Sequence, residues 1–284
     1  MLYLLYVNFV TNLYVSLKGF LHLLECKDTK KQNSNNEHIS IFCNFAIVLS
    51  NKQIRTIRSL STKKGREKTG LFVAEGYKIV KDFIDSGFQV ELILENENDI
   101  RRVSFLQHPQ NILGVFKLKP KEFALSQLSI ELQKNIVIGL DEVQDPGNLG
   151  TIIRIADWFG IHNIICSQTT ADCWAPKVVQ ATMGSIARVN VTYCNLVSVI
   201  DDLPKSYPIY GTLLDGDNIY SQSLTNNGLI LMGNEGNGLS KNIKSRVTQR
   251  LLIPNFSNNT NKAESLNVAV ATAIICSEFK RRTK

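Results

Sequence analysis

The chain has 284 residues, 44% hydrophobic and 20% charged, with a formal net charge of +7. That length holds about two domains, and the composition is ordinary for a globular protein that can bury a sizeable core. The basic balance favours a polyanionic partner, of which nucleic acid is the commonest.

The six cysteines form no C-x-x-C pair and the four histidines no H-x-x-x-H pair. The usual zinc signatures are therefore missing, and no metal is expected. Free thiols in a reducing cytoplasm are the simplest reading.

Residues 2–24 are rich in Leu, Tyr, Val and Phe, but Asn8, Asn12, Lys18 and His22 interrupt them. A membrane-spanning helix wants about 20 mostly apolar residues, and no basic region precedes the run as a signal peptide requires. The polar, Asn- and Lys-rich stretch that follows reads as disordered. Residues 1–47 are read as a non-native or disordered extension, with Val48 standing where an alternative start would lie.

A small α/β module is expected over residues 48–119. Ile54, Ile57 and Leu60 give one apolar face of a short helix, flanked by Lys52, Arg55 and Arg58. Thr62 to Arg66 reads as a basic loop. Lys52, Arg55, Arg58, Lys63, Lys64 and Arg66 are the candidate nucleic-acid phosphate contacts, opposed only by Glu67. Leu71 to Ala74 suits a strand and Tyr77 to Ser86 a helix stopped by Gly87. Val90 to Leu94 and Asn111 to Leu118 suit two further strands. Residues 120–134 form a polar-flanked linker.

Three segments of residues 135–284 carry chemistry. Ile136 to Leu140 is a continuous apolar run, as for a strand buried on both faces. It leads into a turn-rich stretch with Asp145-Pro146-Gly147-Asn148-Leu149-Gly150, and Thr151 to Phe159 is helical. Asn148 and Arg154 would then stand at the carboxyl end of a parallel strand, where open α/β sheets bind ligands. The second segment is a strand, Leu229 to Met232, followed by Gly233-Asn234-Glu235-Gly236-Asn237-Gly238-Leu239-Ser240. Its glycines allow close backbone approach, but their spacing is not that of a dinucleotide fingerprint, which argues against a nucleotide-dependent oxidoreductase. In the third, Leu251 to Pro254 is a strand, and Glu264-Ser265-Leu266-Asn267 opens a small-residue helix with Ser265 as its cap.

Together, in this order, the three segments resemble the SpoU-class RNA methyltransferases of the SPOUT superfamily. The segments Gly70 to Gly76 and Pro109 to Phe116 resemble the substrate-binding domain that often precedes them, although the stretch from Asn96 to Ser104 is shorter here. The resemblance implies a C-terminal α/β trefoil-knot domain with a parallel sheet, preceded by a small α/β RNA-binding domain. It implies S-adenosylmethionine as methyl donor, tRNA or rRNA as substrate, transfer to a ribose 2′-hydroxyl, and a cytoplasmic homodimer with no membrane role. Gly233, Ile253 and Leu266 match the family's donor-binding positions, with Gly238 in the same loop and Gly211 on a strand forming a pocket wall. Arg154, Asn148, Glu235, Ser265 and Asn267 match its catalytic positions. A guanidinium is not deprotonated in proteins, so Arg154 is read as a phosphate clamp that also stabilises the developing alkoxide. The competing reading is a non-catalytic RNA-binding protein on the same scaffold.

Overall fold

In the computed structural model, residues 49–118, 131–257 and 263–282 are described. The extension 1–47 and most of the expected linker lie outside them.

The first module begins with α1 (Asn51–Ser59), closed by a reciprocal capping box between Ser50 and Gln53. The expected basic loop is instead a second helix, α2 (Lys63–Thr69), because Thr62 caps it by accepting from the Gly65 N–H. There follow β1 (Leu71–Glu75), α3 (Tyr77–Asp85), β2 (Val90–Leu94), α4 (Glu97–Val103) and β3 (Leu113–Lys117). Helix α4 was not expected from the sequence. Its signals are electrostatic: Asn96 caps it, Glu97 and Asp99 stand in its first turn, and Arg101 and Arg102 in its last. The strands pair antiparallel in the order β1-β3-β2.

The second part holds β4 (Ile136–Leu140), α5 (Pro146–Trp158), β5 (Asn163–Cys166), α6 (Pro176–Ala181), β6 (Asn190–Tyr193) and α7 (Leu196–Asp201). Next come β7 (Ile209–Asn218), β8 (Gly228–Met232), α8 (Lys241–Lys244), β9 (Gln249–Leu252) and α9 (Val268–Arg282). The six-stranded sheet has the order β6-β5-β4-β8-β7-β9, with every pairing parallel. Every residue of the central strands β4 and β8 is buried, which explains their unbroken apolar runs. Parallel strands place their carboxyl ends along one edge. The loops after β4, β8 and β9 therefore meet there.

Residues 49–284 form one compact unit. A single hydrophobic cluster contains Phe72, Phe83 and Phe116 of the module together with Ile138, Leu149 and Ile152 of the parallel domain. Trp174 closes the seam, its ring centroid 4.5 Å from that of Phe72. Arg66 lies in this seam and is only 3% exposed. Its Nη1 donates to the Leu60 carbonyl at 2.6 Å and its Nη2 to Asp172 at 2.5 Å. This removes Arg66 from the expected phosphate contacts, because a buried guanidinium must be paired internally.

Asp172→Ala leaves the Arg66 charge uncompensated in the seam. Stability should fall by about 3 kcal/mol in urea unfolding, whereas Lys63→Ala, on the exposed face of α2, should change it by less than about 0.5 kcal/mol.

Candidate active site

The expected turn after β4 is largely the first turn of α5. Asp145 is its N-cap, accepting from the Asn148 N–H at 2.8 Å, and Pro146 opens the helix. Asn148 thus has a fixed backbone, and its carboxamide is left to reach outward. Its Nδ2 donates to Glu235 Oε1 at 2.9 Å, and its Oδ1 accepts from Asn267 Nδ2 at 2.9 Å. The loops after β4, β8 and β9 are therefore tied by one side chain.

The third loop differs from the expectation in one respect. Helix α9 starts at Val268 rather than at Ser265, and Asn267 caps it by accepting from the N–H groups of Ala269 and Val270 at 2.9 and 3.3 Å. The Asn267 carboxamide satisfies the helix end with its oxygen and Asn148 with its nitrogen. Ser265 is exposed, two residues before the cap, and is not part of this chain of hydrogen bonds.

The glycine-rich loop is folded tightly on itself. Asn234 Oδ1 accepts from the N–H groups of Gly236 and Asn237, and Asn234 and Gly238 exchange both backbone bonds at 2.9 Å. A side chain at Gly233 would put its Cβ 2.2 Å from the Gly238 carbonyl carbon, and Gly238 stands at φ +67°. At Gly211, on β7, a Cβ would meet Val247 Cγ2 at 2.5 Å. Both close approaches need glycine.

Two residues that supply no expected chemistry, Asp141 and Glu142, hold this edge in place. Asp141, 4% exposed, accepts from the Ser240 N–H at 2.7 Å. Glu142 takes the left-handed φ of +62°, a cost offset by its N–H donating to Ser167 and its carbonyl accepting from Asn234 Nδ2. The turn preference of Asp and Asn beside Gly233 was the only sequence signal for them.

Arg154 is not brought to this cluster. It lies six residues beyond Asn148, or ~9 Å of helix rise, on the exposed face of α5 with Thr151 and Trp158. It forms no ion pair with another described residue. Ile253 is half-buried just past β9, and Leu266 is 50% exposed beside the cap. Among the expected phosphate contacts, Lys52, Arg55, Lys63 and Lys64 are exposed, and Arg58 donates from Nε and Nη2 to the Arg102 carbonyl at 3.0 and 2.9 Å. Among the described residues, Cys166, Cys194 and Cys276 are poor nucleophiles. Burial pushes Cys194 up to about 11 and Cys276 up to about 12, and raises Cys166 well above the ordinary thiol range.

Residues 135–277 match the SpoU rRNA Methylase family, and residues 51–117 match the MRM3-like substrate binding domain. The chain belongs to the SpoU rRNA methylase family. It is an S-adenosylmethionine-dependent RNA ribose 2′-O-methyltransferase. It is 30% identical over 246 residues to the 23S rRNA (guanosine(2553)-2′-O)-methyltransferase RlmP of Bacillus subtilis, covering 79% of this chain and 94% of the relative. An AdoMet-bound rRNA methyltransferase from Sinorhizobium meliloti superposes with a TM-score of 0.73 at 29% identity, over 82% of this chain and 96% of that one. The fold is shared with the AdoMet-bound SpoU methyltransferase AviRb of Streptomyces viridochromogenes, TM-score 0.70 at 21% identity, covering 82% of this chain and 98% of that one.

The residues at the edge fit the donor. The tight glycine loop leaves room for close backbone approach, and partly exposed Ile253 and Leu266 add apolar surface of the kind an adenosine group requires. Gly233→Ala should displace the loop carrying Glu235. Calorimetry should show donor affinity reduced at least tenfold, with Gly236→Ala, whose Cβ meets only Asn234 Oδ1 at 3.5 Å, remaining close to wild type.

Proposed function

We propose that this methyltransferase acts on a guanosine ribose of ribosomal RNA, with Asn148, Glu235 and Asn267 positioning the 2′-hydroxyl and Arg154 clamping the adjoining phosphate. The observation that supports it best is the Glu235–Asn148–Asn267 chain, which joins the three loops in a polar, accessible cluster beside the donor-fitting glycines. A scaffold that only bound RNA would not need that junction. The rRNA assignment follows the names of RlmP and the Sinorhizobium enzyme, and the guanosine follows RlmP.

When bound, S-adenosylmethionine supplies a sulfonium-activated methyl group. The ribose oxygen must then be oriented and one proton removed. Asn148 holds Glu235 through Oε1, leaving Oε2 to accept the hydrogen bond of the 2′-hydroxyl. Asn267 fixes Asn148 in turn. Gly211, Gly233, Gly238, Ile253 and Leu266 would hold the donor, and Ser265 would touch substrate rather than the helix end.

We also propose a homodimer in which Arg154 serves the partner's site. Its distance from Asn148 within one chain supports this, as do the apolar side chains exposed on the adjacent helices α5 and α9: Trp158 is 84% exposed and Val270 50%. The trefoil thread belongs to the same reading. Strand β9 lies at the sheet edge beyond β7, yet the segment after it returns to the β4 loop at Asn148. Buried free thiols suit a cytoplasmic protein.

Arg154→Ala should lower methyl transfer to rRNA at least ~100-fold while donor affinity stays within about twofold; near-normal transfer removes Arg154 from the mechanism. Trp158→Asp should convert a dimer to a monomer in light scattering and lose transfer with it. A wild-type chain that is monomeric at micromolar concentration rejects the dimer. Mapping ribose methylation in rRNA of a deletion strain should show one lost guanosine site.

A further inference from the structure

A cavity of about 290 Å³ opens at the seam between the module and the parallel domain, away from the loops after β4, β8 and β9. Its walls include Glu75 at the end of β1, Phe105 and Leu106 after α4, and Pro176, Lys177 and Gln180 of α6. The volume suits one planar base with part of its sugar, near the lower end of ligand pockets.

Glu75 is the unusual group. It is 3% exposed and forms no ion pair with another described residue. Its Oε2 accepts from Ser104 Oγ at 2.7 Å and its Oε1 from the Phe105 N–H at 2.9 Å. A carboxylate has about four acceptor sites, so two remain. A buried carboxylate with no ion-pair partner among the described residues calls for more N–H donors. The apolar wall of Phe105, Leu106 and Pro176 leaves a slot for a flat ring, and Lys177 and Gln180 supply donors on the α6 side.

We infer that this cavity binds a guanine base of the substrate RNA, with Glu75 accepting from its N1–H and 2-amino groups and Lys177 or Gln180 donating to O6. Guanine alone among the four bases presents two adjacent donors on its pairing edge. Single-stranded RNA is read in this manner, by stacking on aromatic rings and bonding to the pairing edge. The cavity also borders the helix that packs on α5. Its wall residue Ala181 lies so near Gly150 that a Cβ there would come within 2.4 Å of Ala181 Cβ. Gly150 stands between Asn148 and Arg154 on α5. The base would therefore lie one helix away from α5, which carries Asn148 and Arg154.

This inference rests on the chain acting on RNA, and the test separates the two. The full chain, saturated with S-adenosylmethionine so that the donor site is filled, is titrated calorimetrically with GMP, IMP, AMP, CMP and UMP. GMP should bind at least tenfold tighter than AMP, CMP or UMP, and IMP, lacking the 2-amino group, should be several-fold weaker than GMP. Glu75→Gln and Gln180→Ala should each reduce GMP affinity, with unchanged melting for Gln180→Ala and unchanged donor affinity for both. An rRNA transcript carrying 6-thioguanosine should photo-crosslink to the peptide containing Phe105, and excess GMP should suppress that crosslink. Equal binding of the nucleotides, no GMP binding at millimolar concentration, or GMP affinity unchanged in both variants overturns the guanine site. GMP binding without the RNA crosslink overturns RNA as its source and leaves a free guanine nucleotide. Loss of methyl transfer by the wild-type chain would instead strike the enzymatic reading, which the GMP titration does not test.

Discussion

Asn148 uses both ends of one carboxamide, and the rest of the site depends on it. The nitrogen holds Glu235, 87 residues later, and the oxygen takes a bond from Asn267, 119 residues later. Neither partner could be held by its own loop alone. Glu235 sits in a glycine-rich turn that has little side-chain packing, and Asn267 precedes a helix as its cap. The carboxamide is held in its turn because Asp145 and Pro146 fix the first turn of α5 beneath it. A short polar junction of this type exacts precise backbone placement, which explains why Glu142 tolerates a left-handed conformation and why Gly233 has no room for a Cβ.

The parallel sheet makes that junction available. The loops after β4 and β8 are neighbours because β4 and β8 pair directly, from Ile136 against Gly228 to Leu140 against Met232. The loop after β9 starts two strands away, beyond β7. Only the return of the chain to α5 brings Asn267 to Asn148, and α9 then packs on α5. The sheet order thus supplies two of the three loops, and the C-terminal return supplies the third.

What was legible in the sequence follows from these forces. Strands β4 and β8 were plain because burial on both faces leaves unbroken apolar runs. The Asn148, Glu235 and Asn267 positions were recognisable through their motifs. The cap was misplaced, since Ser265 and Asn267 are both good capping residues and the choice is made by Asn148, which periodicity does not contain. Helices α2 and α4 were hidden for a related reason. They are short and largely polar, so no apolar stripe marks them, and their capping bonds to Thr62 and Asn96 are local signals that resemble turns. Arg66 was assigned to the surface because it lies among lysines. Its burial depends on Asp172, 106 residues away.

In the proposed function, the seam that claims Arg66 also limits how RNA is selected. A module tethered by a flexible linker would search for its RNA contacts independently of the catalytic edge. Here Phe72, Phe83 and Phe116 share a core with α5 and β4, and Trp174 and the Arg66–Asp172 pair fasten the contact. The exposed lysines of α1 and α2 therefore stand at fixed positions relative to Asn148. Phosphate contacts position an RNA without reading its sequence. A rigid frame of the proposed contacts would select by shape, admitting only those RNAs whose backbone reaches both the lysines and the ribose site. Base identity must then be read elsewhere, at a place that moves with neither part alone. The seam itself meets that condition, because β1 and α6 both line it.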